Sequence, residues 1–141
     1  MATRSRQVRV IIGSLEGSVE LIVKKLVLDF VANVQRAPSE GGTPVDTGWA
    51  SANWVPNIGS PLEQPAGTRA QAESGTLPTA STTQSALVAS SYKLTLGPVH
   101  VTNNVPYILK LNAGSSGQAP AGFVQRSIAK AVLTDLPGVI G

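Results

Sequence analysis

The segment Val99–Phe123, VHVTNNVPYILKLNAGSSGQAPAGF, decides the fold, because a strand, a turn, an amphipathic run and a glycine-punctuated loop follow one another in it without a gap. Val99, Val101 and Asn103 alternate with His100 and Thr102, the period of two that lays one side of a strand on a core. Asn103-Asn104 stops that strand. Pro106 fixes its own φ and drives Val105 towards extended geometry, so the chain turns just before Tyr107. A helical turn is expected next, with Tyr107, Ile108 and Leu111 on one face while Lys110 and Asn112 face water. Gly114 is placed to take the left-handed conformation that ends such a turn, and Ser115-Ser116-Gly117 prolongs the break.

Downstream, Val124, Ile128, Ala131 and Val132 form the apolar face of a final helix from about Gly122 to Asp135. Arg126 and Lys130 lie four apart on another face. As like charges four apart they read as a solvated face. Pro137-Gly138 ends the fold, and residues 136–141 form a tail with the sticky sequence Val139-Ile140-Gly141. Upstream, Tyr92, Leu94 and Leu96 alternate as a strand that Gly97-Pro98 turns into the deciding segment. Ser81-x-x-Gln84 has capping-box spacing for a short helix ending near Ser91. Residues 59–83 hold Pro61, Pro65, Gly67, Gly75 and Pro78 without periodicity and read as a long flexible loop.

The N-terminal third holds the most regular pattern. Leu15, Val19, Ile22, Leu26, Phe30 and Val34 recur at spacings of three and four, with Val23, Val27 and Val31 widening the stripe. This spacing predicts a long helix from Ser14, its N-cap, to Arg36, closed by Pro38. Glu20 with Lys24 and Lys25 with Asp29 are read as i,i+4 pairs on its wet face. Residues 1–13 form a basic arm carrying Arg4, Arg6 and Arg9. One reading makes it a frayed end whose Val8, Val10 and Ile12 add an edge strand; the other makes it an arm reaching an adjacent subunit or a phosphate backbone.

Between helix and loop, Thr43–Trp54 reads TPVDTGWASANW. Asp46 and Thr47 are candidate caps, and with Gly48 form a turn that leads through Trp49 to Asn53. Val-Asp-Thr-Gly is also similar to the catalytic loop of aspartic proteases, but a second carboxylate is needed to share the proton; no second copy of the string exists in the chain and only a homodimer could supply it, so the capping reading is preferred. Trp54 opens a strand-like run to Ile58 and is expected in the core. Trp49 is either core or an interface anchor, since tryptophan dominates association energies.

Taken together, TNNVPYILKLNAGSSGQAPAGFV and TPVDTGWASANW resemble the neck or tail-completion proteins of long-tailed bacteriophages, small structural proteins that join head to tail. The likeness spans roughly Ser14 to Thr134. It implies a ring of identical subunits, a hexamer, that caps the tail tube or its terminator protein. The ring would dock to the connector and adaptor proteins beneath the head and leave a passage for DNA without sequence-specific binding. Heterologous contacts that close a ring need two complementary patches per subunit. The candidates are the Trp49 turn on one side and the Leu109–Phe123 segment on the other, with Leu109, Leu111, Gln118 and Phe123 as contact residues. Asp46, Thr47, Gly48, Asn103, Asn104, Pro106 and Gly114 are the candidate turn and cap residues, and Arg126 and Lys130 face DNA or the lumen. A tail-terminator or head-closure subunit is the alternative within that class. A small basic nucleic-acid-binding module using Arg4, Arg6, Arg9, Lys24 and Lys25 is the alternative outside it.

Composition agrees with a subunit that buries surface against neighbours. Of 141 residues 13% are charged and 42% hydrophobic, with 14 glycines and 10 prolines that alternate sticky segments with hinges. That length suits one domain. A net charge of +3 is too small to indicate nucleic-acid binding by itself. Without cysteine, disulfides, thiolate chemistry and cysteine metal sites are excluded. His100 is the sole histidine and forms no ordinary zinc site alone, and no nucleophile elbow, Walker or dinucleotide fingerprint is present. We expect no enzyme activity and no cofactor. We also expect no membrane span and a soluble protein made in a cytoplasm. The architecture that follows is α+β: a long N-terminal helix and a C-terminal helix packed on a small, mostly antiparallel sheet.

Overall fold

The computed structural model describes the backbone of residues 2–136 and the side chains of residues 15–136. The fold is α+β, with six α-helices and one two-stranded antiparallel sheet among the described residues. Helix α1 spans Ala2–Val34 and α2 Trp49–Ala52; strand β1 is Val55–Ile58. Helices α3 (Arg69–Ser74) and α4 (Ala80–Ser91) precede β2 (Val99–Thr102), and α5 (Ile108–Asn112) and α6 (Phe123–Asp135) complete the chain. The strands pair with Val55 opposite Thr102 and Ile58 opposite Val99.

Two clusters make the core. Val34, Trp54 and Phe123 bring together α1, the residue ahead of β1 and α6, with Phe30 standing edge-on to Trp54 at 5.7 Å. Val27, Val88 and Tyr92 join α1 to α4. Thr43 ties the first cluster together: its hydroxyl donates to the Val34 carbonyl at 2.6 Å and accepts the Trp54 indole N–H at 2.8 Å. Asn112 caps α6 from the end of α5, its side chain accepting from Val124 N–H and its carbonyl from Gly122 N–H, so it does not face water as its sequence position suggests.

Several expectations change. The long helix begins at Ala2, so residues 2–13 continue α1 and form no edge strand. A lone glycine such as Gly13 costs a helix only about 1 kcal/mol, too little to start a new element. The stripe is buried only in its second half, at Val27, Val31 and Val34, while Leu15 is 61% and Val19 44% exposed. Glu20 does not pair with Lys24; its carboxylate accepts Leu94 N–H at 3.0 Å and lies 3.9 Å from Lys93 Nζ. That bond starts a 3-10 turn at Leu94–Leu96 where alternation predicted a strand. With α4 ending at Ser91 and Gly97 turning the chain, Tyr92 buries itself instead of pairing in a sheet.

Residues 59–83 also carry more order than their composition suggests, since they hold α3 and the first turn of α4. Asn53, buried, accepts Ala66 N–H at 2.6 Å and donates to the carbonyls of Trp49 and Ala66; Asn104 donates to Leu62 at 2.8 Å. The capping box belongs to Thr68 and Gln71, each side chain meeting the other's backbone N–H. Ser81 is no cap; buried, it accepts from Gln35 Nε2 at 3.0 Å and fastens α4 to the end of α1. The tail residues 137–141 and the side chains of the basic arm lie outside the described residues.

Candidate functional site

The two sequence strings that carry the resemblance meet in space. Gln118 clamps the first to the second by two bonds, its Nε2 donating to the Val45 carbonyl and its Oε1 accepting Val45 N–H, both at 2.8 Å. Trp49 stands edge-on to Tyr107 at 6.0 Å, and Asn103 Nδ2 donates to the Ala50 carbonyl at 2.8 Å. A shallow pocket of about 60 Å³ lies between them, walled by Asp46, Gly48, Trp49, Tyr107, Leu111 and Gln118. The patches expected on two sides of the subunit are therefore one continuous face.

Each turn residue contributes through its own chemistry. Thr47 Oγ1 accepts Trp49 N–H at 3.3 Å, while Gly48, at φ +85°, is the N-cap residue of α2. Asp46 caps nothing and pairs with Arg69 at 3.1 Å, which also reaches Glu73 at 3.2 Å. These ion pairs are exposed and contribute little to stability. Burial pushes the Tyr107 phenol above its ordinary value; Arg69 pulls the other way and Asp46 adds to the rise. Asn103 also accepts Val105 N–H at 3.2 Å, an Asx turn that seats Val105 in the core ahead of Pro106. Gly114 takes φ +90° and its N–H closes on Leu111, as the sequence required; a Cβ there would press on Ala121 at 3.2 Å.

Of the contact residues, Leu109 is 82% exposed and Leu111 is half-buried beneath it. Trp49 is also half-buried, its indole N–H donating to the Gly67 carbonyl at 3.3 Å. Phe123 is corrected: at 0% exposure it belongs to the core with Val34 and Trp54 and presents nothing to a partner. Being the first residue of α6, its side chain turns inward, whereas the glycine-rich loop before it led the sequence reading to place it with that loop. Arg126 is bound to the loop through the carbonyls of Ala121 (2.6 Å) and Pro120 (3.2 Å). It lines, with Lys130, Asn33 and Glu40, a polar cleft on the opposite edge of α6. His100 is half-buried on β2 opposite Asn57.

Sequence reasoning missed Tyr107 and Arg69 as members of this face. Tyr107 was legible only as one residue of a helical stripe, and nothing in the linear order announces that it meets Trp49 edge-on. The spacing of Thr68 and Gln71, a capping box, was the available signal for the helix that positions Arg69.

Among the described residues, no group of three or more His, Asp or Glu side chains is placed to hold a metal ion, and no helix is long and apolar enough to cross a membrane. The class defined at this level is an α+β domain with a small antiparallel sheet and one face built from two distant segments. Comparison with family models, curated proteins and solved structures yields no match.

Proposed function

We propose that this chain is a structural subunit of the neck of a long-tailed phage, acting in tail completion or head-tail joining. The observation that carries the reading is the knitting of TPVDTGWASANW to the Asn103–Phe123 segment through Gln118, Trp49 and Tyr107, so that the two strings behind the resemblance form a single exposed face. Its chemistry suits association: an aromatic pair and a shallow pocket offer a partner side chains to cover, with polar groups at the rim, and Leu109 projects into solvent from the adjoining helix α5.

In this reading the subunits close into a ring, a hexamer, that seats on the tail tube or its terminator and receives the head connector. The cleft with Arg126 and Lys130 faces the passage, where Arg126, engaged by the Ala121 and Pro120 carbonyls, and Lys130 offer positive charge to passing DNA. The protein does no chemistry of its own; its work is to hold two assemblies in register. Phage lacking the chain are expected to accumulate separate filled heads and finished tails, countable by electron microscopy, and the wild-type chain supplied in trans to restore joined particles. Joined, infectious particles in its absence would overturn the proposal.

A further inference from the structure

Helix α6 covers one face of α1 only as far as its own last turn. Read from the amino end, that face is Leu15, Val19, Ile22, Leu26, Asp29 and Asn33, at alternating spacings of four and three. Asn33 Nδ2 donates to the Ser127 carbonyl at 3.2 Å, and Asp29 meets Asp135 where α6 ends. Beyond that point no described element covers Leu15, 61% exposed, or Val19. Leu26 also edges an apolar groove of about 210 Å³ formed with Phe30, Val101, Ile128 and Val132. Strip and groove are continuous, running roughly 22 Å from Leu15 to Phe30 at 1.5 Å per residue. In the sequence, Val8 and Ile12 extend the same alternation. A repeat of 3.5 residues keeps a seam facing a neighbouring helix packed knobs-into-holes; α6 is that neighbour at Asp29 and Asn33, and at Val19 and Leu15 no described helix takes its place.

We propose that the occupant of this strip is a second copy of the chain, its α1 lying antiparallel on the first and crossing it near Val19. Charge selects the direction. The stretch carrying Arg4, Arg6 and Arg9 precedes the strip in α1. At its far end lie Asp29 and Asp135, with Lys25 acting on Asp135, and Asp135 Oδ2 is buried without a hydrogen-bond partner. Antiparallel pairing sets each copy's arginine stretch alongside the other's acidic end; parallel pairing would set arginine against arginine. The contact is isologous, the same strip used by both copies, and is separate from the ring contact and independent of it.

The chain has no cysteine, so introduced single cysteines report the pairing cleanly. Sedimentation of the full chain at about 100 µM is expected to show association. Val19→Glu, at an exposed position, should raise the dissociation constant by about tenfold or more with helical circular dichroism unchanged. Mild oxidation should link Val19→Cys chains to each other, and Leu15→Cys chains to Ile22→Cys chains, while leaving Leu15→Cys alone unlinked. The cysteine variants decide the matter even if Val19→Glu fails to fold. A monomeric wild type, a Val19→Glu chain that associates as the wild type does, or Leu15→Cys linking to itself as fast as Val19→Cys would each overturn the pairing.

Discussion

Thr43 is fully buried, and its hydroxyl serves two elements at once, donating to Val34 on α1 and accepting from Trp54 ahead of β1. Thr43→Val keeps the volume but leaves the Trp54 N–H without a partner in the core. The expected cost is about 1–3 kcal/mol, the usual price of an unsatisfied buried donor, seen as a lower urea midpoint at unchanged slope. The neighbouring glycines divide by cause. Gly41 takes φ +94° with open space around it, so Gly41→Ala meets only backbone strain. A Cβ on Gly42 would collide with the Arg36 carbonyl, so Gly42→Ala must displace the chain that leaves α1. Thermal melts of the two variants are expected to rank Gly42→Ala as much the more damaging. Both glycines read identically in sequence, as loop formers, because the clash arises from a turn that only the folded chain makes.

The elements divide by whether their signal was local. Helix α6 starts at Phe123 after Gly122 and ends at Asp135, as its stripe of Val124, Ile128, Ala131 and Val132 said, and β2 occupies Val99–Thr102 as alternation required. The 3-10 turn at Leu94 was not legible, because it depends on a carboxylate at Glu20 on a distant helix. Neither was the extent of order in residues 59–83, which depends on Asn53 and Asn104 reaching across to loop carbonyls. The seam between α1 and α6 holds a further consequence. Burial and the facing Asp29 carboxyl raise the Asp135 pKa above its ordinary 3.8, with Lys25 opposing. The folded chain then binds the proton more tightly than the unfolded one, so this contribution to stability is full below the ordinary value and is lost as pH rises through the raised one. Asp135→Asn removes the loss. Its melting temperature should exceed the wild type's at neutral pH, with the difference fading towards about pH 4.

At the scale of the whole molecule, some apolar side chains hold the domain together and others stand in solvent. Phe123 and Leu109 belonged to one contact set in the sequence reading, yet one is enclosed between α1 and α6 and the other stands in solvent at the tip of α5. The segment linking them, Leu111 to Gln118, binds the Trp49 turn, so the exposed leucine is carried on a braced support. The two positions should therefore fail in different ways. Phe123→Ala opens a cavity in the first core cluster and should lower unfolding free energy by about 3–5 kcal/mol, with assembly lost only as folding is lost. Leu109→Asp buries nothing and removes no contact within the domain, so its denaturation curve should overlay the wild type's within about 0.5 kcal/mol. Supplied in trans to phage lacking the chain, it should nonetheless fail to restore joined particles, because a charge replaces the most exposed large apolar side chain of the Leu109–Phe123 segment. Restoration by Leu109→Asp at wild-type yield would place the contact elsewhere on the molecule, while loss of stability in that variant would mean that Leu109 serves the fold.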